Sequence, residues 1–173
     1  MNDDEIISLY EDTRLLVNRA VYSVGLQVKR LKASEPDLAQ ILADFHFLVT
    51  ALTSIRQLAE GLKAIDDMKS TMIEAVQSFD AEVPQLRAIR NVLEHKADYM
   101  RGKGRNKSVC YGGMFTIILD PDQIIFADCH LRPDAALMAS EAILEVIREK
   151  PPAAYARAVE THGRECTKCR DEV

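Results

Sequence analysis

The chain contains no tryptophan, and only 6% of its 173 residues are aromatic. It has seven glycines and six prolines. They are scattered between apolar stretches, which leaves no low-complexity segment and no internal repeat. Uninterrupted apolar runs are short. FLV (47–49) and FTIIL (115–119) are typical, against the ~18 residues that mark a membrane span. The opening MNDDE is acidic and offers neither a basic start nor an apolar stretch, so the expectation is no secretory signal, no membrane and a cytoplasmic location. Basic excess is lacking too. A net charge of −5 argues against a general nucleic-acid binder, which is normally basic overall. Four cysteines, Cys110, Cys129, Cys166 and Cys169, read as thiols or metal ligands rather than disulfides in such a chain. No phosphate-binding glycine loop, serine nucleophile motif or dinucleotide fingerprint is found.

What is there is helical periodicity. A chain of 173 residues suits one domain that buries roughly 70% of its extended-chain surface. Over Glu5–Lys32, Ile6, Leu9, Leu16, Val17, Ala20, Val24, Val28 and Leu31 recur at three- and four-residue spacing, which predicts a long amphipathic helix. SEPD (34–37) supplies a stop and a start, with Ser34 as the expected cap. A second helix carries Leu38, Ile41, Leu42, Phe45, Leu48, Val49, Leu52, Ile55 and Leu62, and a third carries Met68, Met72, Ile73, Val76 and Phe79. Pro84 begins or kinks a fourth, over about 83–101.

The character then changes. β-Branched and aromatic residues flank the turn sequence DPDQ (120–123), predicting a hairpin of Met114–Leu119 with Ile124–Ala127 and a further strand near Val109. Pro133 opens a last long helix, which PP at 151–152 ends. The expected fold class is mainly α: a bundle of four to five helices, with a β-hairpin at about 107–128 inserted before the last long helix. Residues 1–150 would form the single domain and 151–173 a C-terminal extension, in which AAYARAVE suits a short helix.

The chemistry concentrates in RNVLEH, residues 90–95. Histidine titrates near neutrality and can move a proton to or from a ribose oxygen. A guanidinium can bind two phosphoryl oxygens and stabilise the charge that grows on them. Arg90, Asn91 and His95 are therefore the candidate catalytic residues, and this chemistry requires no metal or cofactor. At about 100° per residue, Arg90 and His95 lie about 140° apart on a regular helix. The expected apolar stripe is Leu86, Ile89, Leu93, Ala97 and Met100, with Asn91, His95 and Tyr99 on nearly the opposite side.

RNVLEH resembles the R-x(4–6)-H signature of the HEPN superfamily, in its version with Asn after the Arg. The resemblance covers these six residues directly, and a helical bundle around them is compatible with it. It implies a metal-independent endoribonuclease in which a 2′-hydroxyl attacks the phosphate, leaving a cyclic phosphate and a 5′-hydroxyl. It also implies a homodimer with a composite site, since the family's two motifs meet across the interface. Many members act in toxin–antitoxin or defence systems, which brings in a cognate antitoxin as a partner. One departure concerns the tyrosine that is modified in silenced toxins. It stands two residues after the His, where this chain has Ala97, and Tyr99 lies four after.

Arg101, Lys103, Arg105 and Lys107 alternate in RGKGRNK, directly after the motif, and form a candidate RNA-binding segment. His162, Cys166 and Cys169 are a weak candidate metal site, to be completed by Cys129, His130 or a second chain, because structural zinc wants four ligands. His46 reads as a core-edge histidine with a satisfied hydrogen bond, and Asp66–Asp67 as capping residues. Beside the RNA endonuclease reading stand two others: a non-catalytic helical interaction module, and a zinc-assisted scaffold built through the tail.

Overall fold

Asn2 opens the first helix. Its side chain accepts from the Glu5 amide at 2.9 Å, and the Glu5 carboxylate accepts from the Asn2 amide at 3.0 Å, a reciprocal capping box. Acidic Asp3, Asp4 and Glu5 in the first turn and basic Lys29 and Arg30 in the last complement the helix dipole along α1, Asp3–Leu31. The computed structural model describes residues 1–33, 37–101, 103–104, 117–120 and 122–161, except for the Met100 side chain.

The second helix, α2 (Leu38–Gly61), starts at Asp37, whose carboxylate accepts from the Gln40 amide at 2.8 Å. The cap is thus Asp37 rather than the expected Ser34, which lies outside the described residues. Leu38, placed so early in the helix, is largely exposed and does not join the buried stripe; Leu16 of α1 is exposed as well. Phe45, Leu48, Leu52, Ile55 and Ala59 are completely buried. The stretch Leu38–Ala64 is long and apolar enough to cross a bilayer by length and composition alone. Counting uninterrupted runs hides this, since Asp44, His46, Thr50 and Thr53 break them. In the fold this helix is the centre of the bundle, packed by α1, α3 (Lys69–Glu82), α4 (Leu86–Glu94) and α6 (Pro133–Glu149).

Polar contacts fix the register between helices. Arg30 donates from Nε to the buried Asp44 at 3.0 Å, tying α1 to α2. Arg56 of α2 presents a fork to both oxygens of Asp80 on α3, each at 2.7 Å. Tyr10, buried in α1, donates its hydroxyl to the Ile147 carbonyl of α6 at 2.7 Å. A short 3₁₀ turn, Leu62–Ala64, links α2 to the loop before α3. α3 ends at Glu82 because Pro84 has no amide to continue it.

The strands are β1 (Ile117–Leu119), β2 (Ile124–Phe126) and β3 (Cys129–Leu131), an antiparallel meander in the order β1-β2-β3. Ile117 faces Phe126, and Phe126 faces Cys129. Phe126 lies against Phe45 of α2 with ring centroids 5.2 Å apart, which seats the sheet on the bundle. The hairpin at DPDQ closes through Asp120 and Gln123, whose backbones exchange hydrogen bonds. The third strand follows the hairpin. A tight turn at Ala127 and Asp128, both at positive φ (50° and 58°), folds Cys129–Leu131 back. The strand expected near Val109, and Met114–Thr116 of the expected hairpin, lie outside the described residues.

The segment 153–161 is helical and forms α7. The Ala153 amide donates to Asp67 at 2.7 Å, Arg157 pairs with Asp3 at 2.8 Å, and Tyr155 packs at a tilt against Tyr10 with ring centroids 4.7 Å apart. The chain is therefore mainly helical, with a small three-stranded antiparallel sheet before its last helices.

Burial raises the Tyr10 hydroxyl above its ordinary 10.0, with Arg14 partly opposing the shift. Burial, aided by Asp128, raises the Cys129 thiol above 9.0. Because both folded values lie above the unfolded ones, the stability they contribute is complete below about pH 9 and is lost as pH rises through the folded values. Urea unfolding midpoints should therefore fall with alkalinity beyond that point. Tyr10→Phe should cost about 1–2 kcal/mol at neutral pH, since the Ile147 carbonyl stays buried without its donor. An unchanged midpoint would rule out that bond as a clamp between α1 and α6.

Candidate functional site around His95

The sheet positions the motif helix. The His130 amide donates to the Gln85 side chain, and the His130 ring nitrogen Nδ1 lies 3.0 Å from Gln123 Oε1. Gln85 stands just before α4, so β3 fixes where that helix starts. Leu86, Ile89, Val92 and Leu93 are buried and anchor α4 against α2. The orientation of Arg90 and Asn91 follows from that burial.

The helix does not continue through the motif. α4 ends at Glu94, His95 takes φ −110° and ψ 28°, and a short helix, α5 (Lys96–Met100), begins after it. The expected single helix over about 83–101 is thus divided at His95, and by Pro84 at its start. The expected stripe fails beyond the break: Ala97 is exposed, and Val92 is buried in its place. No glycine or proline marks the break. The His95 carbonyl accepts from both the Asp98 and Tyr99 amides, at 2.9 and 3.1 Å, which turns the chain into α5.

Arg90 and His95 face different concavities. Arg90 lines a groove of about 300 Å³ between α2 and α4, with His46, Thr50, Thr53, Ser54, Gln57 and Glu94. His95 lines a smaller hollow of about 170 Å³ with Asn91, Asp98, Tyr99, Lys103 and Gly104. Within one chain the structure therefore brings Asn91, His95 and Lys103 together and leaves Arg90 on the other side.

Arg90 donates from Nε to Glu94 at 2.7 Å, and both side chains remain partly exposed. Such an exposed i,i+4 pair holds the guanidinium by only about 0.3–0.5 kcal/mol. Among the described residues its two terminal amino groups have no partner and stay available to an anion. His95 is well exposed, with Nδ1 3.7 Å from the Asp98 carboxylate, a distance that orients the ring loosely without locking a tautomer.

Arg101 caps α5 and is exposed. Lys103 reaches the His95 hollow, its amide donating to the Asp98 carbonyl at 2.7 Å. Arg105 and Lys107 lie outside the described residues. So do His162, Cys166 and Cys169, and among the described residues no group of three metal-ligating side chains occurs. Cys129 is buried and its thiol is held protonated more firmly than usual, which suits the core better than zinc ligation.

Two residues escaped the sequence reading. His46 is exposed rather than core-edge, and it lines the Arg90 groove. Gly104 approaches Tyr99 so closely that any Cβ there would overlap the ring. Glycine in a basic loop reads as flexibility, and here it permits contact instead. The chain matches no family model, no curated protein and no solved structure.

Gly104→Ala should displace Tyr99 and alter the His95 hollow. The His95 imidazole resonances should shift while the β-sheet resonances stay in place. Unchanged His95 signals would show that the loop does not shape the hollow.

Proposed function

We propose that this protein is a metal-independent RNA endonuclease of the HEPN kind, acting in the cytoplasm as a homodimer. The observation that carries this reading is the break at His95. It sets an exposed imidazole beside Asn91, Asp98 and Lys103 in a hollow, while Arg90 keeps unpaired amino groups on the opposite flank. A proton-transfer group and a phosphate-binding cation are both present, aimed apart. A two-fold pairing would supply each His95 with the Arg90 of the partner subunit.

In such a site the imidazole removes the proton from a ribose 2′-hydroxyl. The 2′-oxygen bonds to phosphorus as the bond from phosphorus to the 5′-oxygen breaks. The leaving oxygen takes a proton from an imidazolium, and the products are a 2′,3′-cyclic phosphate and a 5′-hydroxyl. Arg90 stabilises the charge on the non-bridging oxygens, Asn91 orients the phosphate, and Arg101, Lys103, Arg105 and Lys107 hold the flanking backbone. A toxin or defence role, with a cognate antitoxin as inhibitor, belongs to this reading.

The second reading, a non-catalytic interaction module, is favoured by the Arg90–Glu94 pair and by the separate concavities. RNA cleavage in EDTA separates the two. His95→Ala should reduce cleavage by at least a hundredfold, with unchanged helix content and oligomeric state. Equal cleavage by the variant and the wild type would sink the endonuclease reading.

A further inference from the structure

The outer face of α1 carries a pattern that the bundle does not use. Its core residues, among them Val17, Val24 and Val28, are buried. About 180° around the helix lies a second line of residues: Ser8, Asp12, Leu15, Arg19, Tyr22, Leu26 and Lys29, all exposed. They alternate in steps of four and three, the spacing of a coiled-coil seam. Leu15 is 49% exposed, Tyr22 76% and Leu26 41%. Single exposed apolar residues are ordinary on a protein surface. Three of them in one seam, with acid at one end and base at the other, are a pattern.

We infer that this face pairs with the same face of a second copy, the two α1 helices running antiparallel about a two-fold axis between Ala20 and Val21. The seam is self-complementary in that register. Leu15 meets Leu26 of the partner subunit, and Leu26 meets the partner's Leu15. Arg19 lies over the ring of the partner's Tyr22, a favourable cation–π placement. Asp12 faces the partner's Lys29. Each contact occurs twice by symmetry. Among the described residues Asp12, Arg19 and Lys29 form no ion pair within the chain, so their charges are free for this one. A parallel pairing would set Asp12 on Asp12 and Lys29 on Lys29, which the like charges oppose.

The seam is separate from the motif. Asp44, which accepts from Arg30, marks the flank of α2 that meets α1. The α2 residues lining the Arg90 groove, His46, Thr50, Thr53 and Gln57, lie about 120–180° around the helix from Asp44. The contact therefore does not rest on the ribonuclease reading, and it leaves the RNVLEH face free.

Analytical ultracentrifugation of the full chain, from one to a hundred micromolar at physiological salt, tests the seam. The wild type should self-associate. Leu15→Asp, Asp12→Lys and Lys29→Asp should each raise the association midpoint by roughly tenfold or more, with unchanged helix content, since all three positions are exposed. The exchange of both charges, Asp12→Lys with Lys29→Asp, should restore association toward the wild-type midpoint. A monomeric wild type, a Leu15→Asp variant that associates like the wild type, or a charge exchange no better than its single variants would overturn the proposal. A wild type that cleaves RNA but shows no association through the seam counts against this proposal alone; a wild type that associates through the seam but does not cleave RNA counts against the ribonuclease reading alone.

Discussion

Burial of α2 is the constraint on which the remaining architecture depends. Five of its side chains are removed from water completely, from Phe45 to Ala59. At ~25 cal/mol per Å² of apolar surface, each large aliphatic or aromatic side chain contributes about 1.5–3 kcal/mol. A helix so apolar has to be covered on several sides, and α1, α3, α4, α6 and the sheet each cover one. The charged contacts with its neighbours, Arg30 with Asp44 and Arg56 with Asp80, add less energy than this burial but fix how the neighbours slide along it. Because α4 is one of the covering helices, the face that it turns outward is decided by what it buries against α2. The motif inherits its orientation from that.

The helices were legible because their apolar residues repeat with the period of an α-helix over many turns. What failed did so at edges. Leu16 and Leu38 fit the period, yet one lies at the margin of the stripe and the other in a first turn that projects beyond its neighbours. Ser34 was the expected cap of the second helix, and Asp37 takes that place because its carboxylate reaches the Gln40 amide. β3 was missed because three residues between a turn and Pro133 carry too little pattern. The turn before it uses Ala127 and Asp128 at positive φ, where Asn-Gly would have announced a hairpin.

The candidate site was legible in its chemistry and not in its geometry. Residue types alone nominated Arg90, Asn91 and His95, and a regular helix already separated the first from the last. The break at His95 carries no sequence signal, since neither glycine nor proline stands there. It arises where the burial of Leu93 ends and the chain turns toward the Tyr99–Gly104 contact. His46 entered the neighbourhood of Arg90 for a similar reason: a histidine between two phenylalanines reads as core until the helix wheel is fixed by its neighbours.

Magnitudes decide whether the ion pair of Arg90 weighs against a phosphate-binding role. The partner, Glu94, is one turn away on an exposed surface and holds Arg90 by a fraction of a kcal/mol. A phosphate offers two parallel charge-assisted bonds to the terminal amino groups, and Glu94 engages only Nε. The pair therefore pre-orients the guanidinium more than it occupies it. In the single chain His95 and Arg90 open onto different hollows, and the proposed cleavage would forgo proximity worth several kcal/mol if one chain acted alone. Rotating one side chain within the chain does not recover that term, because α4 is anchored by four buried residues. Under the proposed reading, a second chain would supply it.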